Sequence, residues 1–279
     1  MTRQKINFIL WLPLFLTLAC GRSPAPASGP PPAWPPALQG ARLLAETAAG
    51  IAMLDPEPHR LTEGGRWPRW AADGESFFFI RGAAVYRQPP RPEAATRIFS
   101  GRRVRSLAVP GCGTRLWIAA DNRILSLDLA SGATTVLLDE VDALELDSDA
   151  AGTRMALTAR VRGGYEVRAY TAAGDFLGSG RGCSANLSPD GSIMTVNLQG
   201  HEEMRLVQLD NPEASTQLSA PEALTADNQS WSADPDWIVS IDERRHRVIW
   251  AHHVPDNRSF PLTLPGDWDR PALWIPPQP

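Results

Sequence analysis

Downstream of residue 40 the apolar positions fall in short β-rich runs, with no competing helical spacing over any helix-length window. Phe77–Ile80, Leu116–Ala120, Met155–Ala159 and Ile193–Asn197 each follow a turn glycine: Gly74 in AADG, Gly113 in PGCG, Gly152 in DAAG and Gly191 in SPDG. Successive glycines are 39 residues apart in all three intervals, the mark of a structural repeat. A second strand is predicted after each run, at Ala84–Arg87, Arg123–Leu127, Tyr165–Tyr170 and Met204–Leu209. Turns such as Leu129-Ala130-Ser131-Gly132 lead on to a third strand, for example Thr134–Leu138. A further strand precedes each glycine, at Val104–Val109, Ala143–Leu146 and Cys183–Leu187. Four short strands per repeat of this length is the sequence form of a propeller blade.

A stretched fifth unit runs through Trp231, Trp237–Ile241 and Val248–His253, and a sixth begins at Pro271–Ile275 and stops after one strand. Its missing strands are predicted at the other end of the chain, at Ala41–Thr47, Gly50–Asp55 and His59–Thr62. The expected fold is therefore all-β: a six-bladed β-propeller of four-stranded blades over residues 40–279, in which N-terminal strands complete the C-terminal blade. Such closure removes two exposed sheet edges. Trp70, Trp231 and Trp274 recur at one repeat position and are read as packing between blades, whereas Trp67, Trp268 and Tyr165 are left as a possible aromatic platform.

Ser188-Pro189-Asp190-Gly191, with looser versions at Trp70–Gly74 and Trp231–Asp234, resembles the TolB-type repeat of periplasmic propellers. The resemblance covers roughly residues 40–279. It implies the propeller fold and a role in the bacterial cell envelope. Blades two and three lack the Trp and the Pro-Asp of that signature.

The first nineteen residues read as an export signal: Arg3 and Lys5, then an apolar run from Ile6 to Ala19. The run is shorter than the ~20 residues a permanent membrane helix needs. It ends Leu16-Thr17-Leu18-Ala19-Cys20, which looks like a lipobox and implies cleavage before Cys20 and lipidation of that cysteine. By the same resemblance Gly21 implies sorting to the periplasmic side of the outer membrane. Residues 20–39 are dominated by Pro, Ala, Ser and Gly and read as a tether. At ~3.1 Å per residue it reaches on the order of 60 Å.

Charge narrows the partners. The chain carries 27 basic and 31 acidic residues; loss of Arg3 and Lys5 with the signal leaves 25 against 31, a mature charge of −6. Nucleic acid is not expected as a partner, since phosphate binding needs a positive field. Loops between second and third strands lie on the same face as the connections between blades. These hold Arg102, Arg103, Arg105, Asp139, Glu140, Asp142, Arg160, Arg162, His201, Glu202, Arg244, Arg245 and His246. The other face has plain glycine turns and is where the tether enters. The charged face is the candidate surface for an envelope protein; the same charges also serve simply to solvate loops. Arg102 or Arg103 is expected to pair with Asp139, Glu140 or Asp142 across blades two and three.

Signals for chemistry are sparse. Asp147-Ser148-Asp149 opens like a calcium loop but lacks the later ligands. The five histidines do not converge on a metal by repeat phase, and neither cofactor nor catalytic residue is assigned. Cys112 and Cys183 lie at opposite ends of the inner strand in blades two and four. That is about 23 Å by strand rise, so both are expected as free thiols. The inner-strand segments Ser106–Val109, Asn186–Ser188 and Ser230–Ser232 are apolar or neutral, which disfavours a propeller hydrolase or lyase. The leading expectation is a monomeric, non-enzymatic protein-binding lipoprotein. A polysaccharide- or peptidoglycan-binding propeller is the alternative, and an enzyme the next.

Overall fold

A computed structural model describes residues 32–54, 58–218, 225–243 and 247–276. The chain first lays down β1 (Arg42–Thr47), β2 (Gly50–Met53) and β3 (His59–Arg60). Blade 1 follows as β4 (Arg66–Trp70), β5 (Phe77–Arg81), β6 (Ala84–Gln88) and β7 (Thr96–Ser100). Blade 2 is β8 (Ser106–Ala108), β9 (Arg115–Ala120), β10 (Arg123–Asp128) and β11 (Thr134–Leu138). Blade 3 is β12 (Ala143–Ser148), β13 (Arg154–Val161), β14 (Gly164–Thr171) and β15 (Phe176–Arg181). Blade 4 is β16 (Cys183–Leu187), β17 (Ile193–Leu198), β18 (Glu203–Gln208) and β19 (Thr216–Leu218). Blade 5 is β20 (Ala226–Trp231), β21 (Trp237–Asp242), β22 (Ile249–His253) and β23 (Arg258–Pro261). The last strand, β24 (Asp269–Trp274), forms blade 6 with β1, β2 and β3 in the order β24-β1-β2-β3. All six sheets have four antiparallel strands, and β4, β8, β12, β16, β20 and β24 line the axis.

No blade can bury its two apolar faces alone, so the core is divided among the six blade interfaces. Between blades 1 and 2, Phe78, Ile80 and Val85 pack on Leu107, Leu116 and Ile118. Between blades 4 and 5, Met204, Leu206 and Leu218 meet Ala226, Trp231 and Ile238. The closing interface carries two of the repeat tryptophans, Trp70 and Trp274, which pack between blades as expected from their phase. Trp70 Nε1 donates to the Ala272 carbonyl at 2.9 Å, Trp274 Nε1 donates to the Ala72 carbonyl at 3.3 Å, and the rings lie 6.3 Å apart. The register Arg42↔Trp274, Leu43↔Leu273, Leu44↔Ala272 joins the two chain ends.

The repeat glycines are required by backbone geometry: Gly74, Gly113, Gly152 and Gly191 all have φ between 65° and 71°, the left-handed region that other residues enter at a cost. In the full signature turn, Asp190 accepts from the Ser192 amide at 3.0 Å and Ser188 Oγ accepts from the Ile193 amide at 2.9 Å. Asp149 does the same in blade 3, accepting from the Thr153 and Arg154 amides at 2.7 and 3.0 Å. That occupies the aspartate of the calcium-like stretch with turn duty. Cys112 and Cys183 are free thiols.

Arg42 Nη1 bonds the Gly74 carbonyl at 2.9 Å, so the chain enters the ring on the glycine-turn face. The segment read as tether is docked at its end: Leu38 is fully buried, and Trp34 Nε1 bonds the Leu262 carbonyl at 2.9 Å. Residues 1–31, with Cys20, lie outside the described residues.

Candidate binding site at the mouth of the central channel

Each axial strand except β8 departs from regular pairing at its start. The register shifts between Arg66 and Arg69 in β4, Ala143 and Glu145 in β12, Cys183 and Asn186 in β16, and Asp227 and Ser230 in β20. Blade 6 shifts opposite Asp269, between Leu44 and Glu46. At these bulges Trp67, Ser184, Asn228 and Arg270 have positive φ, from 41° to 61°. A bulge re-aims the residues beside it; here it turns polar side chains into the end of the channel. The freed amides are caught by carboxylates of the preceding blade: Glu46 accepts from Trp67 N at 3.0 Å, and Glu145 from Ser184 N at 2.8 Å.

The result is a cavity of about 470 Å³ on the loop-rich face. Blades 6, 1 and 2 supply a basic arc of Arg270, Arg66 and Arg105. Blades 3 to 5 supply an acidic arc of Glu145, Asp227 and Glu243, with Asp269 at the junction. Arg270 is tied to Glu46 and Asp269, each at 3.3 Å, and lies 4.5 Å above the Trp67 ring. Arg66 bonds the Arg105 carbonyl at 2.8 Å, and Arg105 pairs with Asp142 at 2.9 Å. Burial holds the Arg66 guanidinium below its ordinary range, with nearby Glu46 opposing the shift. Burial also pushes the Glu145 carboxyl above the usual range, countered by its bond to Thr158. Deeper in, Arg69 and Asp147 separate this mouth from a cavity of about 120 Å³ on the glycine-turn face. Both are shifted toward neutrality by desolvation, and each charge opposes the shift of the other.

On the acidic side His201 bridges two blades. Its Nε2 lies 3.0 Å from Cys183 Sγ, and its Nδ1 lies 3.0 Å from Glu243 Oε2 and 3.7 Å from Asp227 Oδ2. The bond to Cys183, together with both carboxylates, raises the imidazole to a pKa of about 10. Desolvation raises Glu243, and the His201 bond opposes it. His201, Asp227 and Glu243 offer ligand atoms within 4.8 Å of one another. With Cys183 on its other nitrogen, His201 links the two carboxylates of blade 5 to the start of β16.

Of the sequence-selected residues, Arg105 and His201 line the mouth, and Asp142 braces Arg105. Arg102, Arg103, Asp139, Glu140, Arg160, Arg162 and Glu202 are exposed on the surrounding loops and strand ends. Arg244, Arg245 and His246 lie outside the described residues. The expected pairing of Arg102 or Arg103 is corrected: Asp142 takes Arg105, and Asp139 is held within its own blade by Arg123 at 2.8 Å. The inner-strand segments Ser106–Val109, Asn186–Ser188 and Ser230–Ser232 are neutral as read, but the axial strands carry charge outside them, at Arg66 and Arg69 in β4, Glu145 and Asp147 in β12, Asp227 in β20 and Arg270 in β24. Nor do Trp67, Trp268 and Tyr165 form a platform. Trp67 is buried under Arg270, Trp268 bonds the Leu264 carbonyl, and only Tyr165 is exposed at the mouth. Arg66, Glu145, Cys183, Asp227, Asp269 and Arg270 went unselected. The repeat itself was the available signal: Arg66, Arg105, Leu144 and Cys183 are spaced by 39, as are Trp67, Ser106, Glu145 and Ser184.

Six four-stranded blades closed by the two chain ends, with glycine turns on one face and a polar channel mouth on the other, define a six-bladed β-propeller. Solved structures of the same fold include TolB from Acinetobacter baumannii, at 14% identity and TM-score 0.65, over 84% of this chain and 66% of that one. A protein assigned as TolB from Agrobacterium tumefaciens aligns at 12% identity and TM-score 0.62, over 85% of this chain and 99% of that one. A chain of a nidogen/laminin complex aligns at 12% identity and TM-score 0.67, over 84% and 98%. At these identities the likeness is one of fold. The chain matches no protein-family model and no curated protein sequence.

Proposed function

We propose that this chain is a lipid-anchored protein of the bacterial cell envelope, whose propeller holds a protein partner at the charged mouth without catalysing a reaction on it. The observation that carries the reading is the division of one cavity into a basic arc (Arg270, Arg66, Arg105) and an acidic arc (Glu145, Asp227, Glu243). Separated patches of opposite sign select a partner segment with the complementary order and penalise the reversed one. An export signal with Cys20 at its end and a fold shared with TolB proteins support the envelope setting. A negative mature charge weighs against nucleic acid.

The test is in-cell crosslinking of the full lipoprotein, with captured species identified by mass spectrometry, run beside the charge reversal Arg66→Glu/Arg105→Glu. The expected result is one or two defined envelope proteins, lost in the double variant while expression and melting are retained. Capture of glycan or peptidoglycan fragments alone, or of the same proteins by both forms, overturns the reading.

A further inference from the structure

We propose that Cys183 is a nucleophilic thiol, activated by His201, that exchanges with disulfides entering the channel mouth and is held as a mixed disulfide. This goes beyond a binding role for the same cavity. Cys183 is the first residue of β16, beside the bulge that aims its side chain at the mouth, and it is partly exposed there. Its sulfur lies 3.0 Å from Nε2 of an imidazole whose other nitrogen lies 3.0 Å from the Glu243 carboxylate. A nucleophile, a base on it and a carboxylate orienting the base is the arrangement that activates a weak nucleophile. The carboxylate side is itself built. Ser184 Oγ donates to Asp227 Oδ1 at 2.8 Å, and Asn197 reaches the same oxygen at 3.3 Å. With Nδ1 held by these acids, Nε2 faces the sulfur and takes the thiol proton as the nucleophile forms.

The surroundings select the electrophile. Acyl transfer needs free donors for an oxyanion, but the Ser184 amide is spent on Glu145 and the Ser184 hydroxyl on Asp227. Displacement at sulfur proceeds in line and develops no such oxyanion. The thiolate attacks one sulfur of a disulfide R–S–S–R, a Cys183–S–S–R bond forms as the S–S bond breaks, and the departing RS⁻ takes the proton from His201. Cys183 is oxidised and the departing thiol reduced, so no other oxidant enters. The other thiol among the described residues, Cys112, is on the opposite face and cannot resolve the adduct. The groups facing the pair are Asp227, Glu243, Glu145 and Asp269 on the acidic side, Tyr165 on the neighbouring blade 3, and Arg66, Arg105 and Arg270 across the mouth. A disulfide carrying both carboxylate and ammonium groups fits that mixture, and glutathione disulfide is the probe.

The full chain is treated with glutathione disulfide between pH 6 and 8, and adducts are assigned to each cysteine by peptide mass spectrometry. Cys183 is expected to form the adduct throughout this range, with a shallower pH dependence than an unassisted thiol. His201→Gln is expected to slow it by about tenfold at pH 6 and to restore a rate that climbs with pH, as for an unassisted thiol. Glu243→Gln is expected to give an intermediate loss. Circular dichroism and melting confirm that each variant is folded. No adduct at Cys183 in the folded wild type, or the same pH profile with and without His201, overturns the proposal.

Discussion

Glycine at a repeat position is imposed by φ, but what it costs to replace differs with the neighbour. Gly74 and Gly113 share the same backbone, at φ 68° and 65°. A Cβ at Gly74 would lie 2.3 Å from the Trp274 ring, whereas at Gly113 it would meet nothing within 4 Å. Gly113→Ala is therefore expected to cost only the left-handed penalty of about 1–2 kcal/mol. Gly74→Ala adds displacement of a buried indole and is expected to cost at least about 1 kcal/mol more. Urea melts of the two variants check this; equal losses would mean the ring yields freely. Histidines show the same dependence on surroundings through pH. His252 is fully buried between Ser240 and Ser259, and burial lowers its pKa from 6.5 to about 4. Between these values the unfolded chain binds the proton that the folded chain refuses, so stability falls as pH drops from 6.5 toward 4. The loss is at most on the order of 3 kcal/mol. His252→Gln is expected to flatten that limb when unfolding is measured at pH 7 and pH 4.5. His201 runs the other way: raised to about 10, its contribution is full below 6.5 and fades as pH rises through 10.

Among the elements, β24 and β1 decide whether the ring closes. Trp274 is buried in the interface of blades 6 and 1, and its Nε1 satisfies the Ala72 carbonyl. Trp231 occupies the same repeat position in blade 5, but its indole N–H has no hydrogen-bond partner. Each Trp→Ala change is expected to cost about 3–5 kcal/mol in lost packing. Trp274→Ala should exceed Trp231→Ala by about 1 kcal/mol, because it also removes the hydrogen bond to the Ala72 carbonyl. Thermal unfolding of the pair checks the order; the reverse order would show that closure rests on the strand ladder alone. The blade pattern was legible because each axial strand and its turn glycine obey one period. The bulges were not, because a register shift needs the partner strand to be seen. Hence the middles of the axial strands read as neutral, while their starts, carrying Arg66, Cys183, Asp227 and Arg270, passed as ordinary connection residues. Glu243 and His201 come from different blades, and only the packing of blade 4 on blade 5 brings them together.

For the whole molecule, the charged mouth of the proposed function sets which face is expected to meet a partner. Arg42 bonds at the Gly74 turn, and Trp34 and Leu38 are docked against blades 5 and 6. β1 therefore starts on the glycine-turn face, while Trp34, further back along the chain, is bonded to Leu262 on the β23–β24 connection. On the proposed function the partner meets the mouth, so a crosslinker on that face captures it and one on the glycine-turn face does not. Two glycines allow a matched comparison. Gly163, in the β13–β14 turn near Tyr165, and Gly132, in a turn on the opposite face, both have positive φ and open space around an added Cβ. Cysteine at either position carries similar backbone strain and little steric cost. With a thiol-directed photo-crosslinker in cells, the Gly163→Cys form is expected to capture its partner several-fold more efficiently than the Gly132→Cys form. Equal capture would mean that the tether leaves orientation free, and preferential capture from Gly132 would move the binding surface to the tryptophan-lined cavity on the other face.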